Sequence, residues 1–478
     1  MPGPGFRIPF GADVRRRLVV IGLDCAAPAL LFDRFRDDLP VLGGLAARSA
    51  VGRMRSCDPP ITIPAWAVMW TGQPPGRLGL YGFRHRRGAS YTDGWLATSQ
   101  SVRAPAVWDH LGGAGRPSVV IGSPPGYPVR PIHGHAVGCF ITPPGRPYTH
   151  PPALQAEIEA LVGEYRVDVP FRVEDRGALL DSLYDMTARR LRVVRHLLTT
   201  KPWDFFHWME IGTDRAHHAF WKFMDPEHPR HVPGHPLATA IRDYYRYLDR
   251  EIGELLGLLP DDALVLVVSD HGAKRMKGAF CVNEWLVAQG ELVLRRRPDR
   301  PVPVEAAEVD WSRTRAWGWG GYYARIFFNV AGREAAGIVP PAAVPALARD
   351  LAERLRAVPD ASGAPMATTV FAPGERYPEV RGDAPDLMVY FDDLSWRSAG
   401  TVGHPGGAWY LDENDTGPDD AVHDYDGVFI LYDPRDGRRR ELGTVDILDI
   451  APTVLELLGL PVPADLPGRP LGARGGVG

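Results

Sequence analysis

The sequence is poor in cysteine and in lysine, and it has no long apolar runs. Its 478 residues include four cysteines, none of them in a CxxC pair, so neither a disulfide framework nor a zinc ribbon is expected. No stretch of about 18 apolar residues occurs, which speaks against a membrane-spanning helix. The N-terminal lead MPGPGFRIPFGADVRRR has no apolar segment, so it does not resemble a secretory signal peptide.

A strong charge of either sign is also absent. The 54 basic and 58 acidic side chains leave a net charge of −4, so the sequence carries no electrostatic sign of nucleic-acid binding. Hydrophobic residues make up 45% and charged residues 23%, which is typical of a globular protein and excludes collagen-like, disordered and coiled-coil classes. We therefore expect a cytoplasmic protein whose partners include neither a nucleic-acid polymer nor a membrane. No feature of the sequence predicts an oligomeric state.

The pattern of apolar runs predicts an α/β protein. RLVVIGL at 17–23 and ALVLVVS at 263–269 are continuous apolar runs, typical of strands buried on both faces of a parallel sheet. Shorter strand patterns alternate with helical ones, which favours a three-layer sandwich with a mostly parallel central sheet. We predict a single domain over 1–478, with elaborations at 84–200 and, cap-like, at 276–400. Both segments are rich in Pro, Gly and aromatic residues.

Two of the predicted strands end in aspartate. Asp24 follows the first run, and the pair Asp270 and His271 follows the second. Ligands of parallel sheets collect at the carboxyl ends of strands, so these side chains are candidates for a metal site. Adjacent residues leaving a strand point to opposite sides, which would let Asp270 and His271 serve two ions. The alternatives are a turn or helix-capping aspartate and a buried histidine.

Two further histidines are candidate ligands. Asp214 and His218 stand four residues apart in GTDRAHHAFW, a spacing that places both side chains on one face of a helix, while His217 points away. A polar helix face is the alternative. His423 precedes another apolar strand pattern, where a lone histidine is more often structural than a ligand.

Thr62 is a candidate nucleophile. It lies in PPITIPAWAVMWTG, where Pro64 is suited to open a helix. A hydroxyl beside a helix N-terminus faces free N–H groups and the positive end of the helix dipole, an arrangement that binds phosphate. The alternative is a helix N-cap, and the two roles are compatible if a metal lowers the pKa of the hydroxyl.

Seven motifs in this order resemble the alkaline phosphatase superfamily. The nearest resemblance is to its type I phosphodiesterase/nucleotide pyrophosphatase family, in the prokaryotic predicted phosphohydrolase branch. The motifs span about residues 17–472 and are GLDCAAP, TIPAWAVMWTG, GTDRAHHAFW, VVSDHG, CVNEWL, the segment from His423 through DGVFIL, and VDILDIAPTVLELLGLPVPADLPGRPL.

The resemblance implies two metal sites and a threonine nucleophile. One site would use Asp214, His218 and His423, and the other Asp24, Asp270 and His271, with the Thr62 oxygen as a further ligand. Three histidines and three aspartates fit two divalent ions, zinc first, with manganese, iron or cobalt as alternatives. The implied reaction is attack of Thr62 on phosphorus, a phospho-threonine intermediate, and hydrolysis of that intermediate.

One departure from the family bears on the substrate. Nucleotide pyrophosphatases have a Pro-Asn pair after the nucleophile, and the asparagine helps to hold a phosphate oxygen, whereas here Ala65 follows Pro64. Another donor would then be needed, and Asn283, Lys277 and Arg84 are the candidates. Each of the three has an ordinary structural or surface role as its alternative.

Two other segments could contribute to a binding pocket. AWGWGGYYA at 316–324 holds aromatic side chains that could stack on a base or an aryl leaving group, although packing is their commoner role. The loop DPEHPRHVPGHP at 225–236 holds three histidines that could cover the pocket or bind a third ion, although we favour a rigid loop.

We therefore predict a metal-dependent phosphohydrolase that cleaves a small soluble phosphate ester, either a nucleotide-like diester or a monoester. A mutase-like phosphoryl transferase that uses the same Thr62 is the first alternative. A non-catalytic member that binds a ligand is the second, and it is disfavoured because all seven positions of the implied site are intact.

Overall fold

The computed structural model describes residues 16–473, and the N-terminal lead lies largely outside them. Its centre is a nine-stranded sheet. Seven strands run in one direction, while Asp426–Tyr432 and Thr149–His150 run antiparallel to their neighbours. This mixed, mostly parallel sheet confirms the predicted fold class. In spatial order the strands are Arg440–Asp446, Ala50–Arg55, Asp426–Tyr432, Leu264–Val268, Leu18–Leu23, Phe205–Glu210, Ser118–Ile121, Gly134–Val137 and Thr149–His150.

The middle of the sheet is apolar on both faces. Leu18–Leu23 pairs in parallel with Phe205–Glu210 on one side and with Leu264–Val268 on the other. All residues of these three strands are buried, which explains why their sequences are nearly continuous apolar runs instead of alternating ones. Their carboxyl ends lie side by side at one edge of the sheet.

Helices pack around this sheet in one hydrophobic cluster. Among residues 16–473, no helix is both long and apolar enough to cross a bilayer. The longer helices of this part are Thr62–Thr71, Ala153–Val162, Arg176–Thr200, Gly212–Met224, Ala240–Leu256 and Ile450–Leu457. Pro40–Ala46, Pro75–Leu78 and Val107–Gly113 are shorter.

The predicted elaborations differ in kind. Residues 84–200 supply three strands of the main sheet and its longest helix, so much of this segment belongs to the central fold. Residues 276–400 form a second hydrophobic cluster, between Phe280 and Val402, around an antiparallel sheet and the helices Val282–Ala288 and Val344–Arg356. The strands of this sheet are, in order, Ala316–Trp319, Ala324–Phe328, Leu387–Tyr390 and Thr369–Phe371.

A two-stranded ribbon connects the C-terminal part of the chain to the carboxyl ends of the central strands. Gly272–Arg275 pairs antiparallel with Ala421–Asp424, and Ala273 lies opposite His423 in this register. The ribbon therefore holds His423 next to His271, although about 150 residues separate them in the sequence. Beside the ribbon, the strand Gly278–Cys281 lies between Trp396–Ala399 and Tyr410–Leu411.

Candidate functional site

Six buried side chains converge where the central strands end. Asp24, Asp270 and His271 form one group, and Asp214, His218 and His423 form the other; within each group the ligand atoms lie within 4.8 Å of one another. These are the two sets that the family resemblance implied. Cys25 forms a third such group with His271 and His423, so it lies beside both metal groups.

The first group contains carboxylate oxygens that accept no hydrogen bond. Trp66 Nε1 donates to Asp24 Oδ2 at 2.7 Å, and the Cys25 N–H donates to Asp270 Oδ1 at 3.2 Å. Asp24 Oδ1 and Asp270 Oδ2 are buried with no hydrogen-bond partner. Burial raises the pKa of both carboxyl groups well above the ordinary value, and the repulsion between neighbouring carboxylates adds to the shift.

Asp270 and His271 belong to the same group, which corrects the expectation that they point to opposite sides. Asp270 Oδ2 lies 3.1 Å from His271 Nε2. The strand ends at Val268, and both residues lie in the turn beyond it, where the alternation of side chains along a strand no longer applies.

All three histidines have their Nε2 atoms directed into the site. The Nδ1 atoms of His218, His271 and His423 lie 2.6 Å from Asp419 Oδ1, 3.1 Å from the Gly272 carbonyl and 3.0 Å from the Pro60 carbonyl. Because each of these partners is an acceptor, each Nδ1 carries a proton, and Nε2 is the atom that is left to bind a cation. His218 Nε2 and His423 Nε2 are 3.3 Å apart, too close for two lone pairs without a shared cation or proton.

Asp214 is held from the opposite side by Arg215. The Arg215 guanidinium donates to Asp214 Oδ2 at 2.6 Å and pairs with Asp168 at 2.7 Å. Asp214 Oδ1 lies 3.2 Å from His218 Nε2 and 3.6 Å from His423 Nε2. Burial alone would raise the pKa of Asp214, but the facing His218 and Arg215 lower it well below the ordinary value.

The Thr62 hydroxyl faces the first group. Thr62 is the first residue of the helix Thr62–Thr71 and makes no capping hydrogen bond, so it is not the N-cap that was the alternative. Its Oγ1 lies 3.2 Å from His271 Nε2. The N–H groups of Thr62 and Ile63 are in the first turn, where a helix leaves N–H groups without internal partners, so a phosphate oxygen could bind beside the hydroxyl.

A divalent cation fits each group. Three buried histidine nitrogens face buried carboxylate oxygens, and the oxygens without donors belong to Asp24, Asp214 and Asp270. Such oxygens are costly in a protein interior unless a proton or a cation satisfies them. Nitrogen and carboxylate donors together suit zinc and other first-row metals.

Asp419 and its partners have no sequence signal that could have identified them, whereas Tyr322 lies in the aromatic segment 316–324. Asp419 bonds His218 Nδ1 and is itself paired with Arg397 at 2.9 Å and with Arg172 at 3.1 Å. Tyr322 Oη lies 3.3 Å from His218 Nε2. Trp66 could have been found, because it stands one helical turn after Thr62 on the same face.

The three predicted substrate donors have partners outside the two metal groups. Asn283 is fully buried; its amide donates to the Gly318 and Gly400 carbonyls and its oxygen accepts from the Gly318 N–H. Because these bonds use both amide hydrogens and the oxygen, Asn283 has a structural role. The exposed side chains of Lys277 and Arg84 pair with Asp392 and Glu305, which are not in either metal group.

The other two candidate segments also have mainly structural roles. In the segment 316–324, packing is the role of Trp317, Trp319 and Tyr323, which are buried. Tyr322 is half-buried and lies at the site. The three loop histidines do not converge on a third ion. His228 Nε2 bonds the Asp420 carbonyl, His231 Nδ1 bonds the Lys222 carbonyl, and His235 stacks on Phe223.

Comparisons with known proteins bear on the fold and on the family of this chain. The structure of phosphonoacetate hydrolase from Sinorhizobium meliloti 1021 in complex with phosphonoformate has the same fold, with a TM-score of 0.54 and 18% identity over 91% of this chain and 94% of that chain. A comparison with curated proteins finds no match. The sequence model of the type I phosphodiesterase / nucleotide pyrophosphatase family matches residues 18–426. The chain belongs to this family.

Proposed function

We propose that this protein is a metal-dependent hydrolase of a small phosphate ester, with Thr62 as its nucleophile. One observation carries the proposal. The Thr62 hydroxyl stands at a helix N-terminus, 3.2 Å from His271 Nε2, beside two buried groups of aspartate and histidine ligands. A nucleophile, a phosphate-binding helix end and ligands for two cations are the parts that phosphoryl transfer requires. Family membership supports the same class of reaction.

The six ligand side chains would hold two divalent cations, of which zinc fits best and manganese, iron or cobalt are alternatives. When bound, the cations would favour the ionised form of the Thr62 hydroxyl and stabilise negative charge on the attacking and leaving oxygens. Asp419, Trp66 and the Gly272 and Pro60 carbonyls keep the ligands oriented, which is the usual role of residues behind a metal site.

The chain's own residues define the two chemical steps. The first N–H groups of the helix Thr62–Thr71 bind a phosphoryl oxygen, and Thr62 Oγ1 attacks phosphorus. The Oγ1–P bond forms as the bond from phosphorus to the leaving oxygen breaks, which leaves phospho-threonine and an alcohol. The proton of the Thr62 hydroxyl ends on that alcohol. Water then attacks phosphorus as the Oγ1–P bond breaks, and one hydrogen of the water ends on Thr62 Oγ1 while the other stays on the phosphate.

Ala65 affects how the phosphate group of the substrate is bound. It is buried in the first turn, and its N–H donates to the Ile61 carbonyl, so neither its side chain nor its backbone can bind a phosphate oxygen. The pocket therefore lacks the side-chain donor that nucleotide pyrophosphatases place after the nucleophile. We propose a substrate whose phosphoryl oxygens are held by the helix end and the metal groups.

The test is hydrolysis of p-nitrophenyl phosphate and of bis-p-nitrophenyl phosphate by protein supplied with zinc or manganese. We expect turnover of at least one ester and a loss of about 1,000-fold or more in Thr62→Ala, because the nucleophile is missing. The Thr62→Ser variant is the matched control and should retain measurable activity. Turnover in Thr62→Ala equal to that of the wild type would contradict the role of Thr62. A metal-loaded protein without any turnover would favour a transferase or a binding protein.

A further inference from the structure

Tyr322 places its hydroxyl beside the metal groups, although it belongs to the segment 276–400 and not to the main sheet. It follows the strand Ala316–Trp319, and its Oη lies 3.3 Å from His218 Nε2. Its ring stacks on the His423 ring, with the ring centres 3.8 Å apart and an interplanar angle of 24°. The segment 276–400 therefore contributes a side chain directly to the site that the main sheet builds.

Both faces of the Tyr322 ring are covered. His423 lies against one face, and the guanidinium carbon of Arg397 lies 4.2 Å from the ring centre. Two groups at these distances cannot share a face. Arg397 forms an ion pair with Asp419 at 2.9 Å, which holds its guanidinium group in place over the ring. The ring is thus unavailable for stacking on a base, and the hydroxyl is the group that Tyr322 can offer to a substrate.

The Tyr322 hydroxyl faces an atom that cannot accept its hydrogen bond once a metal is bound. It faces the Nε2 atom of His218, the atom assigned above as a metal ligand. Once that lone pair is given to a cation, it can no longer accept a hydrogen bond. The half-buried hydroxyl is then available to donate a hydrogen bond to an oxygen of the bound ester.

The order of the stacked rings indicates which oxygen of the ester would accept the hydrogen bond from Tyr322. His271, His423 and Tyr322 form a continuous stack, with spacings of 3.8 Å between neighbouring ring centres. Thr62 Oγ1 contacts His271, at one end of the stack, and Tyr322 is the other end. In an in-line displacement, the leaving oxygen departs on the side opposite the nucleophile.

We infer that Tyr322 is a catalytic residue that donates a hydrogen bond to the leaving oxygen of the phosphate ester. The inference rests on the proposed function, because it requires Thr62 as the nucleophile. A donor at this position helps most when the leaving oxygen carries a large negative charge. It therefore suits esters of poor leaving groups, such as alcohols and simple phenols, more than esters of acidic phenols.

The experiment compares the wild type with Tyr322→Phe on a series of substituted phenyl phosphates, from p-nitrophenyl to unsubstituted phenyl. The series uses the monoesters or the diesters, whichever class the p-nitrophenyl assay shows to be turned over. We expect kcat/KM of Tyr322→Phe to fall by about 3-fold with p-nitrophenyl and by about 30- to 100-fold with phenyl, the range for a hydrogen bond to a charged acceptor. An ¹⁸O isotope effect at the leaving oxygen should also become larger in the variant.

Tyr323→Phe is the matched control, because it removes the neighbouring phenol oxygen, which donates to the Tyr81 carbonyl. It should leave the dependence on the leaving group unchanged. Metal content and melting temperature of Tyr322→Phe should equal those of the wild type, since both ring contacts remain. An equal loss with all leaving groups, or no loss, would overturn the role of Tyr322 while leaving Thr62 as the nucleophile. Turnover independent of Thr62 would overturn the proposed function itself, and the inference with it.

Discussion

Trp66 Nε1 donates a hydrogen bond of 2.7 Å to Asp24 Oδ2 and so ties the helix of Thr62 to the end of the central strand. Trp66 stands four residues after Thr62, one turn along the same helix face. Asp24 thereby has one oxygen satisfied and presents the other to the site. The indole of Trp66 therefore links the orientation of this carboxylate to the helix that carries the nucleophile.

Replacement of Trp66 should weaken the metal site. In Trp66→Phe the hydrogen bond to Asp24 is lost, and the carboxylate can rotate, so we expect metal affinity to fall by about 10- to 100-fold. Trp70→Phe is the control, because Trp70 is also buried in this helix but its Nε1 has no hydrogen-bond partner among the described residues. Calorimetric titration of zinc into the chelator-treated proteins measures the difference. Equal affinities in both variants would contradict this role.

Asp270 should destabilise the metal-free protein. Its carboxylate is buried beside that of Asp24, and its Oδ2 faces the His271 Nε2 lone pair. In Asp270→Asn the charge is gone and the amide can donate to that nitrogen. We therefore expect the variant to be more stable than the wild type in chelator by about 1 to 3 kcal/mol, although it loses activity.

Urea unfolding in the presence of a chelator tests this expectation. Asp261→Asn, at an exposed position, is the control and should change neither stability nor activity. With excess zinc the order should reverse, because only the wild type then gains the binding free energy of both ions. An Asp270→Asn protein that is less stable than the wild type in chelator would show that the carboxylate has a structural partner.

Substitutions of the neighbouring residues His217 and His218 should differ in their effects on activity and metal content. His218 Nε2 faces Asp214 and His423, whereas His217 Nε2 bonds the hydroxyl of Tyr245, on the other side of the helix. We expect His218→Asn to lower activity by about 100-fold or more and to reduce the metal content. His217→Asn should keep the metal content and most of the activity, although it can lower the melting temperature. Metal analysis of the purified variants distinguishes the two, and equal losses would contradict the assigned helix phase.

His207 should make the protein sensitive to acid. Burial among Trp66, Trp70 and Phe205 lowers the pKa of His207 to about 3. The unfolded chain binds a proton at this residue below about pH 6.5, while the folded protein does not until about pH 3, so stability falls as the pH decreases between these values. At pH 5 the loss is about 2 kcal/mol, from about 1.4 kcal/mol per pH unit.

The variant His207→Leu should lack this part of the pH dependence. Leucine is apolar and of similar volume, and the ring nitrogen Nε2 of His207 has no hydrogen-bond partner among the described residues to be lost. Denaturant unfolding at pH 7 and pH 5 gives the free energy of unfolding for both proteins. The decrease between these pH values should be smaller in the variant by about 2 kcal/mol. An identical decrease would mean that His207 is protonated in the folded protein.

The local features of the fold followed from periodicity. The apolar runs ending at Asp24 and Asp270 are strands of the central sheet, and the four-residue spacing of Asp214 and His218 places both on one helix face. Ala50–Arg55 and Arg440–Asp446 were missed, since neither is an apolar run. The first has exposed arginines, and the second is an edge strand with little buried surface.

The residue types of the site, and the face of the strand or helix on which each side chain lies, follow from the sequence. These depend on backbone repeats of two and about 3.6 residues, which act over a few positions. Which elements meet depends on the tertiary structure, which places Asp419 behind His218 and Tyr322 at the end of the histidine stack. The reason is physical. Distances between such residues are set by strand order, by the register of the ribbon that carries His423, and by the apolar cluster of Ile61, Tyr323 and Tyr390, against which Tyr322 packs.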